Sequence, residues 1–199
     1  MNLFWEFFSF EVKFRLKSLS TYVYFALWFF LSFFSIAAED FGPVRNGKVL
    51  LNGPYATSLI HFQLGLFGII IVAAIFGTSI LRDFQRDTFQ IIFTKPISKL
   101  AYLGGRWAGS FVTCIFVYSG LVFGEAAGSL APWADHTRIA SGHVGWLLQP
   151  FFSITVVQIF FLGSLFFCVA ALTRKLFIVY LQGVAFFMLY LVGNTIFLA

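Results

Sequence analysis

The chain is predicted to be an all-α membrane protein, in which an N-terminal interfacial helix is followed by about five transmembrane helices. Three observations carry that prediction. Hydrophobic residues fill 60% and charged residues 11% of its 199 positions, against roughly 45–50% and about 25% in soluble domains. Mean hydropathy is +0.90. The apolar stretches each reach the length of about 20 residues that a helix needs to cross a bilayer core, and most charges fall in the gaps between them. The length suits one membrane domain, residues 1–199, with almost nothing over for a soluble catalytic domain.

Residues 4–17 interleave Phe4, Trp5, Phe7, Phe8, Val12 and Phe14 with Glu6, Glu11, Lys13, Arg15 and Lys17. Such a pattern suits a helix lying along headgroups, and Glu11 can support Arg15 one turn on. The first span, about 18–38, is uncharged and rich in aromatics; it exceeds the hydrophobic region of a signal peptide, so cleavage is not expected. Pro43, Asn46-Gly47 and Asn52-Gly53-Pro54 then mark a loop. The second span covers about 57–81. The third, about 105–127, opens on Gly105-x-x-x-Gly109 and ends on Gly120, Gly124 and Gly128, a spacing that lets helices approach closely in lipid. A loop with Trp133, Asp135, His136, Arg138 and His143 follows; its spacing matches no common metal-ligand pattern. The fourth span, about 147–172, is expected to start near Pro150, since proline is tolerated in a first turn. Thr173-Arg174-Lys175 makes a tight turn into the fifth, 177–199.

The net charge of +5 reads as topology. Lys13, Arg15 and Lys17, then five cations from Arg82 to Arg106, then Arg174 and Lys175 fall on one side of this five-span arrangement, and only Arg45, Lys48 and Arg138 on the other. Short loops rich in Lys and Arg stay cytoplasmic, which places the N-terminus inside. Nucleic acid is not an expected partner. Cys114 and Cys168 lie within apolar runs and read as small hydrophobes.

No H-E-x-x-H, no G-x-S-x-G and no metal-spaced cysteine set appears. Gly104–Ser110, GGRWAGS, approaches a P-loop but lacks the lysine that reaches the phosphates. The chain is therefore expected to be no enzyme, with no catalytic residue, metal or cofactor of its own. Two ionisable residues fall within spans, His61 and Glu125. Such groups are costly in a bilayer and often functional, so they are candidates for a substrate path or for helix pairing, beside plain solvation near the outer surface.

The segment between the second and third spans is the most organised polar stretch. Arg82-Asp83-x-x-Arg86-Asp87-Thr88-Phe89-Gln90-Ile91-Ile92-Phe93-Thr94-Lys95-Pro96-Ile97-Ser98 resembles the loop of ABC-2 type transporter permeases, where a charged start, a Gly-Thr pair, a run of leucines and a Pro-hydrophobic-Ser step recur in order. Thr88, Pro96 and Ser98 match; Asp87 stands where glycine is usual, and Gln90 where glutamate is common. Ala170-Ala171-Leu172-Thr173-Arg174 is similar to the turn between that family's fourth and fifth spans. With the N-terminal helix, the likeness covers essentially the whole chain. The family usually has six spans, so a fragment of a longer polypeptide is expected.

The resemblance implies the membrane part of an ATP-driven transporter, an exporter by family likeness, in a bacterial inner membrane. A separate ABC ATPase subunit would carry ATP and magnesium, and a second permease copy or half would complete the assembly. Residues 82–104 would then be the coupling loop, with Arg82, Asp83, Arg86, Asp87, Thr88, Phe89 and Pro96 as ATPase contacts. A helix from about Arg82 to Thr94 would offer charges for specificity and Phe89, Ile92 and Phe93 as anchors, ending at Lys95-Pro96 because a residue before proline avoids the α region. The alternative is a non-transporting membrane scaffold or assembly subunit. A membrane-embedded enzyme ranks third, because the spans lack clustered His, Asp or Glu.

Overall fold

The computed structural model describes residues 3–38, 49–85, 94, 97–140 and 144–198, and among these it is helical, with no strand. The helices are α1 (Leu3–Leu16), α2 (Leu19–Ala37), α3 (Pro54–Phe67), α4 (Ile69–Gln85), α5 (Lys99–Ser129), α6 (Val144–Pro150), α7 (Val157–Thr173) and α8 (Leu176–Leu198). A 3₁₀ turn at His136–Arg138 and a π-helical turn at Phe151–Val156 join them. Among the described residues four segments are long and apolar enough to cross a bilayer, five if the broken pair α3 and α4 counts as one span. This is the helical content of an integral membrane protein.

The second expected span is not one continuous helix, because its helix is interrupted at Gly68. Glycine lowers the cost of such a break, and an apolar run conceals it from hydropathy. The fourth also departs from expectation: its helix begins at Val144, so Pro150 ends α6 instead of opening the span, and the π turn follows it directly. Proline has no N–H to donate to the carbonyl of Trp146. The Thr57 hydroxyl lies 3.1 Å from that carbonyl oxygen. The third span starts earlier than expected, at Lys99, where the Ser98 hydroxyl accepts from the Ala101 N–H at 3.1 Å and caps the helix.

The chain divides into two compact units. Unit 1 draws on Met1–Lys17, Leu66–Cys114 and Ile159–Ala199. Its central helix is α4, buried at Ile69, Val72, Ala73, Ile75, Phe76, Ile80 and Leu81, a helix apolar almost all round. The Phe76 ring packs where a side chain on Gly163 would otherwise sit, and Gly77 faces Leu176 and Val179. α8, by contrast, exposes Phe177, Leu181, Met188, Leu189 and Val192, as a lipid-facing helix does. Arg174 takes a positive φ of 53°, the left-handed conformation that stops a helix, and its guanidinium lies 4.6 Å from the Phe84 ring centre.

Unit 2 comprises Ser18–Gly65 and Ile115–Gln158. The glycine face expected of the third span is used here. A Cβ on Gly120 would lie 2.6 Å from the Phe25 carbonyl oxygen and one on Gly128 2.7 Å from that of Phe33, while at Gly124 it would meet Phe29 and Ser32. The backbone of α2 therefore lies directly on that of α5. At one end Asn52 exchanges two hydrogen bonds with the Ala140 backbone, at 2.7 and 2.9 Å. The Arg138 Nε donates to the Val49 carbonyl at 3.1 Å, and Asp135 caps the 3₁₀ turn through the Thr137 N–H at 3.0 Å.

Candidate functional site

Unit 1 contains a buried ionic cluster whose members come from three helices. Its position follows from the other half of the glycine pattern. A Cβ on Gly105 would come within 2.7 Å of the Phe4 carbonyl oxygen, and one on Gly109 within 2.6 Å of the Glu11 Cβ. α1 can thus lie against α5 with Phe4, Phe8 and Glu11, one helical face, turned toward it. Glu11, fully buried, is brought to Arg106.

The Glu11 carboxylate accepts from three guanidinium groups: Arg15 Nε at 3.0 Å, Arg82 Nη2 at 2.6 Å and Arg106 Nη1 at 2.7 Å. Arg106 Nη2 also donates to both oxygens of Asp83, at 2.8 and 2.6 Å, and the Tyr102 hydroxyl donates to Asp83 Oδ2 at 2.7 Å. Arg15 reaches α4 through the Thr78 hydroxyl at 2.8 Å. Phe14 lies under the Arg82 guanidinium at 3.8 Å, and Phe10 lies 5.1 Å from that of Arg106. Flat aromatic faces attract these cations where water is excluded. Burial by itself would push the Glu11 carboxyl up; the three guanidiniums outweigh it and hold the group below the ordinary glutamate value.

Arg82 and Asp83 end α4, while Tyr102 and Arg106 lie in the first turns of α5. The cluster therefore joins the two ends of the polar segment to each other and to α1. Arg82 and Asp83 are among the residues that the sequence suggests as contacts offered to a partner. They are only 8% and 5% exposed, and their charges are committed inward. Local sequence carries no sign of this, since Glu11 lies 71 positions from Arg82 and 95 from Arg106. Of the other expected ATPase contacts, Arg86, Asp87, Thr88, Phe89 and Pro96 lie outside the described residues.

Unit 2 brings His61 and Glu125 together. Both have no exposed surface, and His61 Nε2 lies 3.4 Å from Glu125 Oε2. On the other side of the ring, Nδ1 is 2.7 Å from the Thr155 hydroxyl. Glu125 Oε1 is buried with no hydrogen-bond partner among the described residues. Neither side chain is exposed to solvent, and the contacts join α3, α5 and the π turn. Thr155, also fully buried, is absent from the sequence-based candidates, because nothing in a Thr within an apolar run distinguishes it from an ordinary helix residue bonded to its own backbone.

No protein-family model matches the chain, and no curated protein or solved structure matches it either.

Proposed function

We propose that this chain is the membrane-spanning permease component of an ATP-driven transporter of the ABC-2 type, coupled to a separate nucleotide-binding subunit through residues 82–104. The observation that carries the proposal is the ionic cluster closing the base of that segment. A solvated loop has no need of buried charges at both its ends. A loop that receives force does, because displacement of a loosely tethered segment is absorbed by the tether. With Asp83 and Arg106 paired and Glu11 holding Arg82 and Arg106 at once, a push on the loop moves α1, α4 and α5 of unit 1 together.

In this proposal Arg82 and Asp83 position the loop from within, and Arg86, Asp87, Thr88, Phe89 and Pro96 meet the ATPase. α1 lies along the cytoplasmic headgroups with Trp5 and Phe10, 60% and 52% exposed, as apolar anchors, and with exposed Lys13 and Lys17 for anionic lipid. The N-terminus is cytoplasmic, the membrane a bacterial inner membrane, the direction export, and a second permease copy or half completes the pathway. ATP and magnesium belong to the partner.

The test is capture of an ATPase with the tagged full chain from its native membranes. Wild-type chain is expected to retain the ATPase, and an Arg86→Glu, Phe89→Asp double variant to lose it. Equal capture by a folded double variant would remove the coupling assignment, and absence of an ATPase from the wild type would favour the scaffold reading.

A further inference from the structure

We infer that His61, Glu125 and Thr155 form a buried site for a single exchangeable proton within unit 2, a function independent of the loop at residues 82–104. Three segments supply one polar group each: α3 gives His61, the second part of α5 gives Glu125 and the π turn gives Thr155. An isolated charge among apolar spans costs several kcal/mol. A carboxyl and an imidazole that hold one proton between them are neutral as a pair, whichever of the two carries it. The Thr155 hydroxyl at Nδ1 orients the ring so that Nε2 faces the carboxyl.

Two features separate this site from a structural ion pair. Among the described residues Glu125 Oε1 is buried and unpartnered, an open acceptor position on the carboxyl itself, where most buried polar atoms are satisfied. Thr155 sits in a π-helical turn that begins directly after Pro150, an irregularity found frequently at functional sites. The surroundings isolate the pair. α2, α3, the second part of α5 and the π turn carry no other Asp, Glu, Lys, Arg or His. Their remaining titratable side chains are Tyr22, Tyr24, Tyr55 and Tyr118; Tyr22 and Tyr55 are exposed, and Tyr118 packs on Trp28 at 5.2 Å. Phe151 presents its ring edge-on to His61 at 6.2 Å.

A proton is the ligand matched to groups with no exposed surface. Gain of a second proton, or loss of the first, leaves one net charge among apolar helices. Exchange with water therefore requires the helices around the pair to separate, and separation in turn releases or admits the proton. Occupancy of the site and opening of unit 2 are thus two readings of one equilibrium.

The test is infrared difference spectroscopy of the full chain in lipid nanodiscs across steps of pH. One carboxyl or imidazole proton step is expected in the wild type. E125Q removes it, and H61Q shifts its midpoint by about one pH unit or more, the coupling expected of such a pair. E125D, which keeps the carboxyl but displaces its C=O band, identifies the same signal should E125Q fail to fold. A spectrum without a titrating band that either Glu125 variant changes, or a step that H61Q leaves in place, would overturn the proposal.

Discussion

Glu11 in unit 1 and Glu125 in unit 2 are both carboxyl groups with no exposed surface, yet their surroundings differ in kind. Glu11 meets three guanidinium groups, and its neighbours Arg82 and Arg106 are further held by aromatic faces and by Asp83. Among the described residues of that network, Arg106 Nε is buried without a hydrogen-bond partner. Glu125 meets one imidazole at 3.4 Å and leaves an oxygen unpaired. A carboxylate ringed by fixed positive charge has one stable protonation state over the working range and acts as a fastener. A carboxyl facing a single titratable neighbour keeps two arrangements of nearly equal charge, so its state can respond to its environment. Partner number, more than burial, separates the two roles.

The sharpest way to break this contrast is to remove each charge while keeping its shape. Glu11→Gln leaves the buried Arg82 and Arg106 and the partly buried Arg15 facing a neutral amide and is expected to cost about 3–5 kcal/mol, the range for an uncompensated buried charge. Glu125→Gln keeps a hydrogen-bonding group toward His61 and discards no fixed counter-charge, so its cost is expected within about 1 kcal/mol. Thermal unfolding of the two variants in the same nanodiscs compares them directly. Equal losses would erase the distinction between fastener and responsive site.

Acid sharpens it further. The Glu11 carboxyl has a folded-state pKa below its ordinary value. Its contribution to stability is therefore complete above the ordinary glutamate range and is lost as pH falls through the lower, folded-state value. The unfolding temperature of the wild type should fall in that acid window more steeply than that of Glu11→Gln, which has no such carboxyl to protonate. Parallel acid profiles would mean that the Glu11 ring of charges contributes nothing net.

The next effect tests helix contact instead of charge. Gly124 of α5 faces the α2 backbone at Phe29 and the Ser32 side chain, while Gly145 has nothing within 4 Å of an added Cβ. Gly124→Val is expected to cost about 1–3 kcal/mol through overpacking, and Gly145→Ala to stay within about 0.5 kcal/mol of wild type. Similar unfolding temperatures for the two would contradict the close approach of α2 and α5 within unit 2.

The elements that could be read from the chain are those encoded by local runs. Span number, the turn at Arg174 and the glycine faces follow from apolar length and four-residue spacing, because a helix in lipid satisfies its own backbone and needs little else to declare itself. Features decided by contacts between distant segments escape such reading. Arg82 and Asp83 at the end of an apolar run read as partner contacts, and nothing local shows that Glu11 and Arg106 lie beside them. His61 and Glu125 are rare enough in spans to be noticed, and a pairing between them was open from their positions. Thr155 was not, since its role depends on a π turn that hydropathy cannot register. The break at Gly68 is hidden for the same reason.

Pro150 gives the smallest of the expected effects and the most local. In a continuous α-helix the N–H of residue 150 would donate to the Trp146 carbonyl; proline has none, and the Thr57 hydroxyl stands 3.1 Å from that oxygen. The same hydroxyl is also 3.0 Å from the carbonyl of Gly53, the residue just before its own helix, so it divides one proton between a local and a distant acceptor. Thr57→Val is expected to cost about 1 kcal/mol, the worth of one such hydrogen bond. Pro150→Ala restores an N–H at the position where the helix lacks one, and Thr57→Val should then cost less than in the Pro150 background. A double-mutant cycle on unfolding free energy reads the coupling. Strict additivity would mean that Thr57 serves only its own helix, and that the π turn carrying Thr155 is held in place by other contacts.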